Sequence, residues 1–421
     1  MSAASAATHD SPRLKSAAAA LTLLAAIAAF VISAMTLAAI GIPYDAPGGS
    51  FLDKLHPASY LCGLALIVTL AGKADPLAFA ANLPRRFPGA ALFAVNWALI
   101  IAYVGLFQRT PIAPLADSFF CALAILILYE ELDPPAQSLL RRLLHIVMLA
   151  NACLGIFEFV TQTRLTPYVT GGRLITEDYR STALLGHPLL NAGTTGAYAL
   201  MLFLGADRAL GPAARFAMIL VQVIALAPFG GRTSIVLTLA TMALGSLRFV
   251  ADSARGRRFD MRVGMAMALG LPAAACAIAA IAHAGYLDPL LERFTDDKGS
   301  AQSRLVALQL FDAFSLEDIL LGPDPERLAS LQTMLGIEYG IENGWLGLLF
   351  QYGALLSGLF VAGLLALLWE FWRRARPYAS VMVAVFLIQL SSSASISVKS
   401  FVFNQFAILL LAVFDAKAAR A

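Results

Sequence analysis

Side chains that could do chemistry are confined to a few segments between long apolar runs. One segment starts at Arg180 and continues as Ser181-Thr182-Ala183-Leu184-Leu185-Gly186-His187-Pro188, with Asn191 following. A second is the very short connection Gly230-Gly231-Arg232-Thr233-Ser234. An arginine between two apolar helices is costly unless its side chain reaches water or meets an anion. Arg232 is therefore a candidate anion ligand, and a turn arginine that touches lipid headgroups is an equally good interpretation.

A carboxylate stands at another boundary between polar and apolar sequence. Glu342 and Asn343 end a long polar segment, and Trp345 opens the apolar run that follows. A carboxylate at the lipid–water boundary is partly desolvated, which makes it a better base for removing a proton. The alternative is that Glu342 only complements the dipole of the following helix, because negative charge is favourable near a helix N-terminus.

Metal and disulfide chemistry is not predicted. Asp296 and Asp297 could bind a divalent cation, but adjacent acids before Lys298-Gly299 are more typical of a solvated turn. His145 and His283 lie in or at the end of apolar runs, so they are expected to pack or to hydrogen-bond between helices. The cysteines lie in apolar runs without CxxC or Cys/His spacing, which indicates packing residues: Cys62, Cys121, Cys153 and Cys276.

Membrane helices must position these side chains. Of the 421 residues, 59% are hydrophobic and 14% are charged, and the mean hydropathy is +0.75, whereas soluble domains carry ~25% charged residues. A span needs about 20 apolar residues, so we predict an all-α polytopic membrane protein of roughly twelve spans, folded as one membrane domain over 1–421. The apolar runs fall near 17–40, 57–72, 89–107, 117–130, 143–161, 189–206, 214–229, 233–250, 263–285, 344–371, 378–397 and 401–415.

The distribution of basic residues predicts the orientation, because cytoplasmic loops carry an excess of Lys and Arg. Of 30 such residues, 19 precede the odd-numbered spans or follow the last one, which places both termini inside. The long loops 162–188 and 286–343 then face the periplasm. A net charge of +3 from scattered bases does not indicate a nucleic-acid surface.

The second long loop is predicted to be helical. Asp288-Pro289 suits a helix start, and amphipathic stretches cover 303–314 and 326–335, with Gly336 as the expected stop. The loop carries 11 acids and four bases. A phosphate site within it must therefore rely on individually placed arginines.

Four polar motifs occur in a fixed order between about residues 145 and 370. Together they resemble the O-antigen ligase and polymerase superfamily, and the chain is most similar to VpsF-type exopolysaccharide biosynthesis membrane proteins. The motifs are Arg180…Gly186-His187-Pro188…Asn191…Gly193, Gly231-Arg232-Thr233, Ser303-Arg304 before Leu320-Leu321-Gly322, and Glu342-Asn343…Leu346…Gly353.

This resemblance implies a metal-independent glycosyltransferase embedded in the bacterial inner membrane. Such a protein passes a glycan from an undecaprenyl diphosphate carrier to an acceptor sugar hydroxyl at the periplasmic face, without a nucleotide sugar or other cofactor. Carried over residue by residue, Arg180 and Arg232 become ligands of the diphosphate, because guanidinium groups pair with phosphate oxygens bidentately. Arg304 is the third candidate.

The resemblance also assigns the base. Related ligases have a histidine before the asparagine in an H-N-x-x-L pattern, whereas this chain has Glu342. The departure favours a polymerase, in which a carboxylate deprotonates the incoming hydroxyl, over a ligase acting on lipid A-core. His187 is the alternative catalytic base, and Asn343 and Asn191 are expected to support the site.

Two other classes of function remain open. One is a transporter or flippase for the same lipid-linked oligosaccharide, and the other is a non-catalytic partner of exopolysaccharide assembly and export proteins. Transporters show internal repeats, or helices broken near the midplane beside polar residues. The concentration of polar residues in the outer loops favours an enzyme at the membrane interface, whose partners are the lipid-linked donor, an acceptor glycan and membrane lipids.

Overall fold

The computed structural model describes residues 10–46, 48–170, 173–176, 180–207, 209–255, 300–337, 340–375 and 378–414. These residues are helical apart from the connections and one antiparallel pair, β1 (Val169–Thr170) with β2 (Arg173–Leu174), which confirms the all-α prediction. The helices are α1 (Pro12–Val31), α2 (Ala34–Ala39), α3 (Pro57–Ala71), α4 (Pro76–Arg86), α5 (Pro88–Tyr103), α6 (Ala113–Glu131), α7 (Pro134–Thr161), α8 (Pro188–Phe203), α9 (Pro212–Phe229), α10 (Arg232–Ala254), α11 (Ser300–Leu308), α12 (Leu310–Ala313), α13 (Leu316–Leu321), α14 (Pro325–Met334), α15 (Gly344–Arg374), α16 (Ala379–Ser391) and α17 (Val402–Ala412).

Several of these helices are long and apolar enough to cross a membrane, as expected of a multi-pass membrane protein. Six meet that condition among the described residues, namely α1, α5 with its continuation to Gln108, α6, α7, α9 and α15. Helices α3 and α4 together make a seventh if their 119° bend is counted within one span. The total of twelve stays a prediction. The expected span at 263–285, the helix start at Asp288-Pro289 and the pair Asp296-Asp297 lie outside the described residues.

Proline explains where many of the helices begin. Its fixed φ and missing N–H suit the first turn, where that N–H would have no partner inside the helix. Asp75 and Asp133 precede two of these prolines and cap α4 and α7 through their side chains. The helices that start at a proline are α1, α3, α4, α5, α7, α8, α9 and α14.

Aromatic rings join the helices at the centre of the core. The ring of Phe119 on α6 lies 5.7 Å from Phe93 on α5, 5.1 Å from Phe360 on α15 and 5.5 Å from Phe403 on α17, between centroids. All four side chains are buried. Such edge-to-face and tilted contacts contribute about 0.5–1.5 kcal/mol each beyond the area they bury.

The connections at one end of the bundle contact one another, and we call it the rim end. It comprises the described residues of the chain at 32–46, 48–56, 104–112, 162–170, 173–176, 180–187, 230–231, 300–337, 340–343 and 392–401. The Val169 N–H lies 3.1 Å from Met35 Sδ, Lys399 Nζ lies 2.6 Å from Tyr44 O, and the Tyr103 hydroxyl donates to Leu321 O at 2.9 Å. The helical segment 300–334 therefore packs on the same end as the segment that follows α7.

The opposite end, which we call the basic end, holds a network of ion pairs. Lys73 Nζ and Arg86 Nη1 lie 2.6 Å and 2.9 Å from the Glu131 carboxylate. Arg374 on α15 lies 3.4 Å from Glu130 and also pairs with Glu370. Basic residues that the sequence assigns to one side of the membrane thus share one end of the bundle. Which side that end faces stays a prediction.

Candidate functional site

A two-glycine turn positions Arg232. Gly230 ends α9 in the left-handed conformation, with φ of 63°, which suits glycine because it has no Cβ. A Cβ on Gly231 would lie only 2.5 Å from the Cβ of Ala192, so the turn approaches α8 closely. Arg232 is the first residue of α10 and is half-buried. Arg232 therefore stands at a helix start, and helix starts and arginine side chains both suit phosphate.

Arg180 is positioned against the end of the same helix α9. The N–H of the next residue, Ser181, donates to Pro228 O at 3.0 Å, and the Ser181 hydroxyl donates to Gly155 O at 2.7 Å. Arg164 donates to the carbonyl oxygen of Arg180 at 3.2 Å. The structure therefore places Arg180 and Arg232 on either side of the α9 C-terminus.

The sequence interpretation missed the residue that organises this segment. Glu158, near the end of α7, is 3% exposed. Its carboxylate accepts from the N–H groups of Leu165, Thr182 and Ala183, each at 2.9 Å. A buried charge is tolerated when several hydrogen bonds satisfy it. The only sequence signal was one carboxylate inside the apolar run of α7.

His187 and Asn191 both hold the start of α8. The Leu189 N–H donates to His187 Nδ1 at 3.2 Å, and His187 Nε2 lies 3.2 Å from the Tyr168 hydroxyl. Nδ1 therefore uses its lone pair as a helix cap. Asn191 is fully buried and donates to Thr182 O at 2.6 Å. Asn191 thus holds the turn that precedes α8, while the catalytic role of His187 stays a prediction.

Arg304 and Glu342 meet, although 37 residues separate them in the sequence. Arg304 Nη2 lies 3.5 Å from Glu342 Oε2, with the two side chains 42% and 44% exposed. The two side chains therefore form a partly exposed ion pair in front of α15. Arg304 Nε is buried and has no hydrogen-bond partner among the described residues.

Asn343 is the cap of α15. Its Oδ1 accepts from the N–H groups of Trp345 at 3.0 Å and Leu346 at 3.2 Å. Glu342 is therefore held immediately before the first turn of a long apolar helix, as the sequence predicted for a boundary position. The Trp345 indole N–H donates to the Ser391 hydroxyl at 2.8 Å, which joins this helix start to the end of α16.

The last turn of α16 and the residue after it contact both the start of α10, which carries Arg232, and Arg304 on α11. Gln389 Nε2 lies 3.5 Å from the hydroxyl of Ser234, two residues after Arg232. Three residues beyond Gln389, the Ser392 carbonyl oxygen lies 3.5 Å from Arg304 Nη2. The start of α10 and the segment that carries Arg304 thus both contact the end of α16. We call Arg180, Arg232, Arg304, Glu342 and segment 391–395 the rim cluster.

Segment 391–395 was also missed by the sequence interpretation. It reads Ser-Ser-Ser-Ala-Ser and is partly exposed. Ser393 and Ser395 share a hydrogen bond of 2.7 Å between their hydroxyl oxygens. Nearby in the same connection, burial lowers the pKa of Lys399 to about 8. Arg304 contacts the backbone of this segment at Ser392, and serine hydroxyl groups are suited to hydrogen-bond a polyhydroxylated ligand.

The rim cluster brings together most of the residues singled out from the sequence. Arg304 and Glu342 contact directly, Arg180 and Arg232 flank one helix end, and Asn343 supports Glu342. His187 and Asn191 are engaged in holding α8. No family model, curated protein or solved structure matches this chain.

Proposed function

We propose that this protein is a membrane-embedded glycosyltransferase of polysaccharide biosynthesis, with about twelve spans and both termini inside. It would transfer a glycan from an undecaprenyl diphosphate carrier to an acceptor sugar hydroxyl at the periplasmic face of the inner membrane. The observation that carries the proposal is the rim cluster, in which three arginines and one carboxylate belong to segments that contact one another at a single end of the bundle.

The arginines make up the donor half of the site. Diphosphate is already a good leaving group, so catalysis needs cations that stabilise the charge developing as it departs. Arg232 provides a guanidinium at the start of α10, and Arg180 provides a second across the α9 C-terminus. Both lie at the end of apolar helices, where a polyprenyl chain stays in lipid while its headgroup reaches the cluster.

Glu342 and the serine-rich segment make up the acceptor half. The Glu342 carboxylate takes the proton of the acceptor hydroxyl as that oxygen bonds to the anomeric carbon of the donor. The bond from the anomeric carbon to the diphosphate breaks, and its electron pair leaves with the phosphate oxygen. One displacement of this kind inverts the anomeric configuration. Hydroxyl groups in segment 391–395 are placed to orient the acceptor.

One observation favours an enzyme over a transporter. Helix α15 is broken at Gly353, as a transporter helix could be. The break is filled, because a Cβ on Gly353 would lie 2.5 Å from the carbonyl carbon of Leu321 at the end of α13. A broken helix that serves transport lines a cavity instead. The break in α15 therefore does not support an alternating-access transporter.

Replacing Arg232 by lysine tests the proposal. The change keeps the positive charge but removes the planar fork, so we expect a loss of glycan transfer of about 10²–10³-fold with normal protein level. Polymer amount and undecaprenyl-linked repeat units would be measured together in cells lacking the native gene. Repeat units should accumulate as polymer disappears.

Arg327→Lys is the matched control. Arg327 is another arginine of the rim end, and it pairs with Asp318 at 3.4 Å outside the rim cluster. We expect the Arg327→Lys protein to transfer glycan at the wild-type rate. Wild-type polymer in both Arg232→Lys and Arg232→Ala cells would overturn the assignment of the donor half.

A further inference from the structure

Helix α15 is longer than a membrane is thick. It has 31 residues and so extends about 46 Å, whereas the hydrocarbon core measures about 30 Å. Near the basic end it carries Trp369 and Trp372, which are both exposed, and exposed tryptophans are typical of a membrane interface. Gly353 lies about 28 Å along the helix from Trp372. The break at Gly353 therefore stands close to the opposite boundary of the hydrocarbon core.

Helix α5 gives a similar depth. It starts where α15 ends, because the Gly89 N–H donates to Glu370 Oε1 at 2.9 Å. From that contact, Tyr103 lies about 21 Å along α5 and Gly353 about 25 Å along α15. The Tyr103 hydroxyl donates to Leu321 O at 2.9 Å, and the end of α13 packs against the Gly353 backbone. Both helices thus place the end of α13 at the boundary of the hydrocarbon core.

The exposed face at the end of α13 is apolar. Leu320 is 40% exposed and Leu321 is 51% exposed. Beside them, the ring of Phe107 stacks on Tyr103 with 5.7 Å between centroids and is 75% exposed. The exposed face of α14 is mostly polar instead and includes Glu326, Ser330 and Thr333. The apolar surface of a membrane-spanning helix therefore continues onto α13, and such a continuous exposed patch marks an interaction surface.

We propose that α13 is an interfacial anchor, which lies in the lipid leaflet at the rim end with Leu320 and Leu321 in contact with acyl chains. The first turn of α13 is polar, with Glu317 and Asp318, and Asp318 pairs with Arg327 on α14. This turn stays at the level of the headgroups while the end of the helix reaches the hydrocarbon. The inference depends neither on the glycan chemistry nor on the side of the membrane that the rim end faces.

The test measures what surrounds the two leucines. Leu320→Cys and Leu321→Cys are made in full-length protein that lacks the four native cysteines, labelled with a nitroxide, and reconstituted into bilayers of phosphatidylethanolamine and phosphatidylglycerol. Electron paramagnetic resonance then compares collisions with dioxygen, which concentrates in lipid, and with a nickel chelate, which stays in water. We expect the dioxygen collision rate to exceed the nickel rate severalfold at both positions.

Two reference positions calibrate that ratio. Leu99→Cys places the label at an exposed position within α5 and reports lipid, whereas Ser330→Cys places it on the polar face of α14 and reports water. We expect the α13 labels to resemble Leu99→Cys. A ratio like that of Ser330→Cys would place α13 in water, and low accessibility to both reagents would show that protein covers it. Either result would overturn the proposal.

Discussion

Glu342 is the residue on which the proposed chemistry depends most. It stands one residue before the cap of α15, and its carboxylate faces Arg304 at 3.5 Å. Because both side chains are more than 40% exposed, their ion pair contributes only about 0.2–1 kcal/mol to stability. A large functional effect of changing Glu342 therefore cannot come from lost stability.

Replacing Glu342 by glutamine keeps its size but removes the proton acceptor. If the carboxylate is the base, we expect glycan transfer to fall about 10²–10⁴-fold while the thermal unfolding midpoint barely moves. Undecaprenyl-linked repeat units and polymer length would be measured in the same cells. If the charge only complements the helix dipole, polymer persists and only ~0.3–1 kcal/mol of stability is lost.

Glu326→Gln is the control for that change. Glu326 lies in the first turn of α14, so the same substitution removes a charge from a helix start outside the rim cluster. We expect this variant to make polymer of normal length. Polymer of normal length in Glu342→Gln cells as well would exclude the carboxylate as the base and move that role to His187.

At the scale of elements, the break in α15 forms a docking point for α13. Gly353 has φ of 76° and ψ of 165°, a conformation that essentially only glycine adopts. On the other side, Gly322 has φ of 98°, and a Cβ on it would lie 3.0 Å from the carbonyl carbon of Tyr352. Two backbones therefore meet without side chains between them, which holds the helical segment 300–334 against the bundle.

Gly353→Ala should weaken that docking. The strained backbone alone costs about 1–3 kcal/mol, and the added Cβ would overlap the backbone at Leu321 and Gly322. We expect a lower midpoint of thermal unfolding in detergent. Gly358→Ala is the control, because nothing lies within 4 Å of its Cβ position and alanine favours helix by about 0.5–1 kcal/mol. Equal midpoints for the two variants would contradict the docking role.

A second contact between elements joins α7, α8 and the connection that follows α8. His145 Nδ1 lies 2.6 Å from the Tyr198 hydroxyl, and Nε2 lies 2.9 Å from Asp207 Oδ2. The other Asp207 oxygen lies 3.6 Å from Arg141. His145 is thus a hydrogen-bonding residue between helices, one of the two roles expected from the sequence. These contacts hold α7, α8 and the connection after α8 together at the basic end.

Tyr198→Phe removes one hydroxyl from that chain. Because Tyr198 is fully buried, the change leaves a histidine nitrogen unsatisfied, and we expect a loss of about 1–3 kcal/mol. Tyr60→Phe is the control, since its hydroxyl bonds Leu52 O at an exposed position where water replaces it. We expect the midpoint of thermal unfolding of the purified protein to fall for Tyr198→Phe and to stay unchanged for Tyr60→Phe. Equal midpoints for the two variants would contradict the structural role of Tyr198.

For the whole molecule, orientation decides whether the rim cluster can meet a periplasmic substrate. We expect Ser330→Cys, on α14 at the rim end, to react with an impermeant maleimide in intact cells. Ala80→Cys, on α4 at the basic end, should react only after permeabilisation. Both positions are exposed, and the background would lack the four native cysteines. The reverse labelling pattern would remove the basis for a periplasmic glycosyltransferase.

The positions of the helices were largely determined by the sequence. Apolar runs predicted near 57–72 and 214–229 are the helices Pro57–Ala71 and Pro212–Phe229. Hydropathy and proline act locally, so each run specifies its own helix whatever surrounds it. The sequence interpretation placed no helix at α4, because the apolar content of this segment is too low for a membrane span. Only the structure shows it as a separate helix, bent by 119° from α3.

The contacts within the site were decided by tertiary structure alone. The sequence singled out Arg304 and Glu342 separately, but only folding of the segment between them brings the two charges to 3.5 Å. Glu158 and segment 391–395 carried no motif, because their importance comes from the backbone groups and helix ends that surround them. Side-chain pairing depends on distances between residues far apart in the chain, and a local pattern of polarity does not contain those distances.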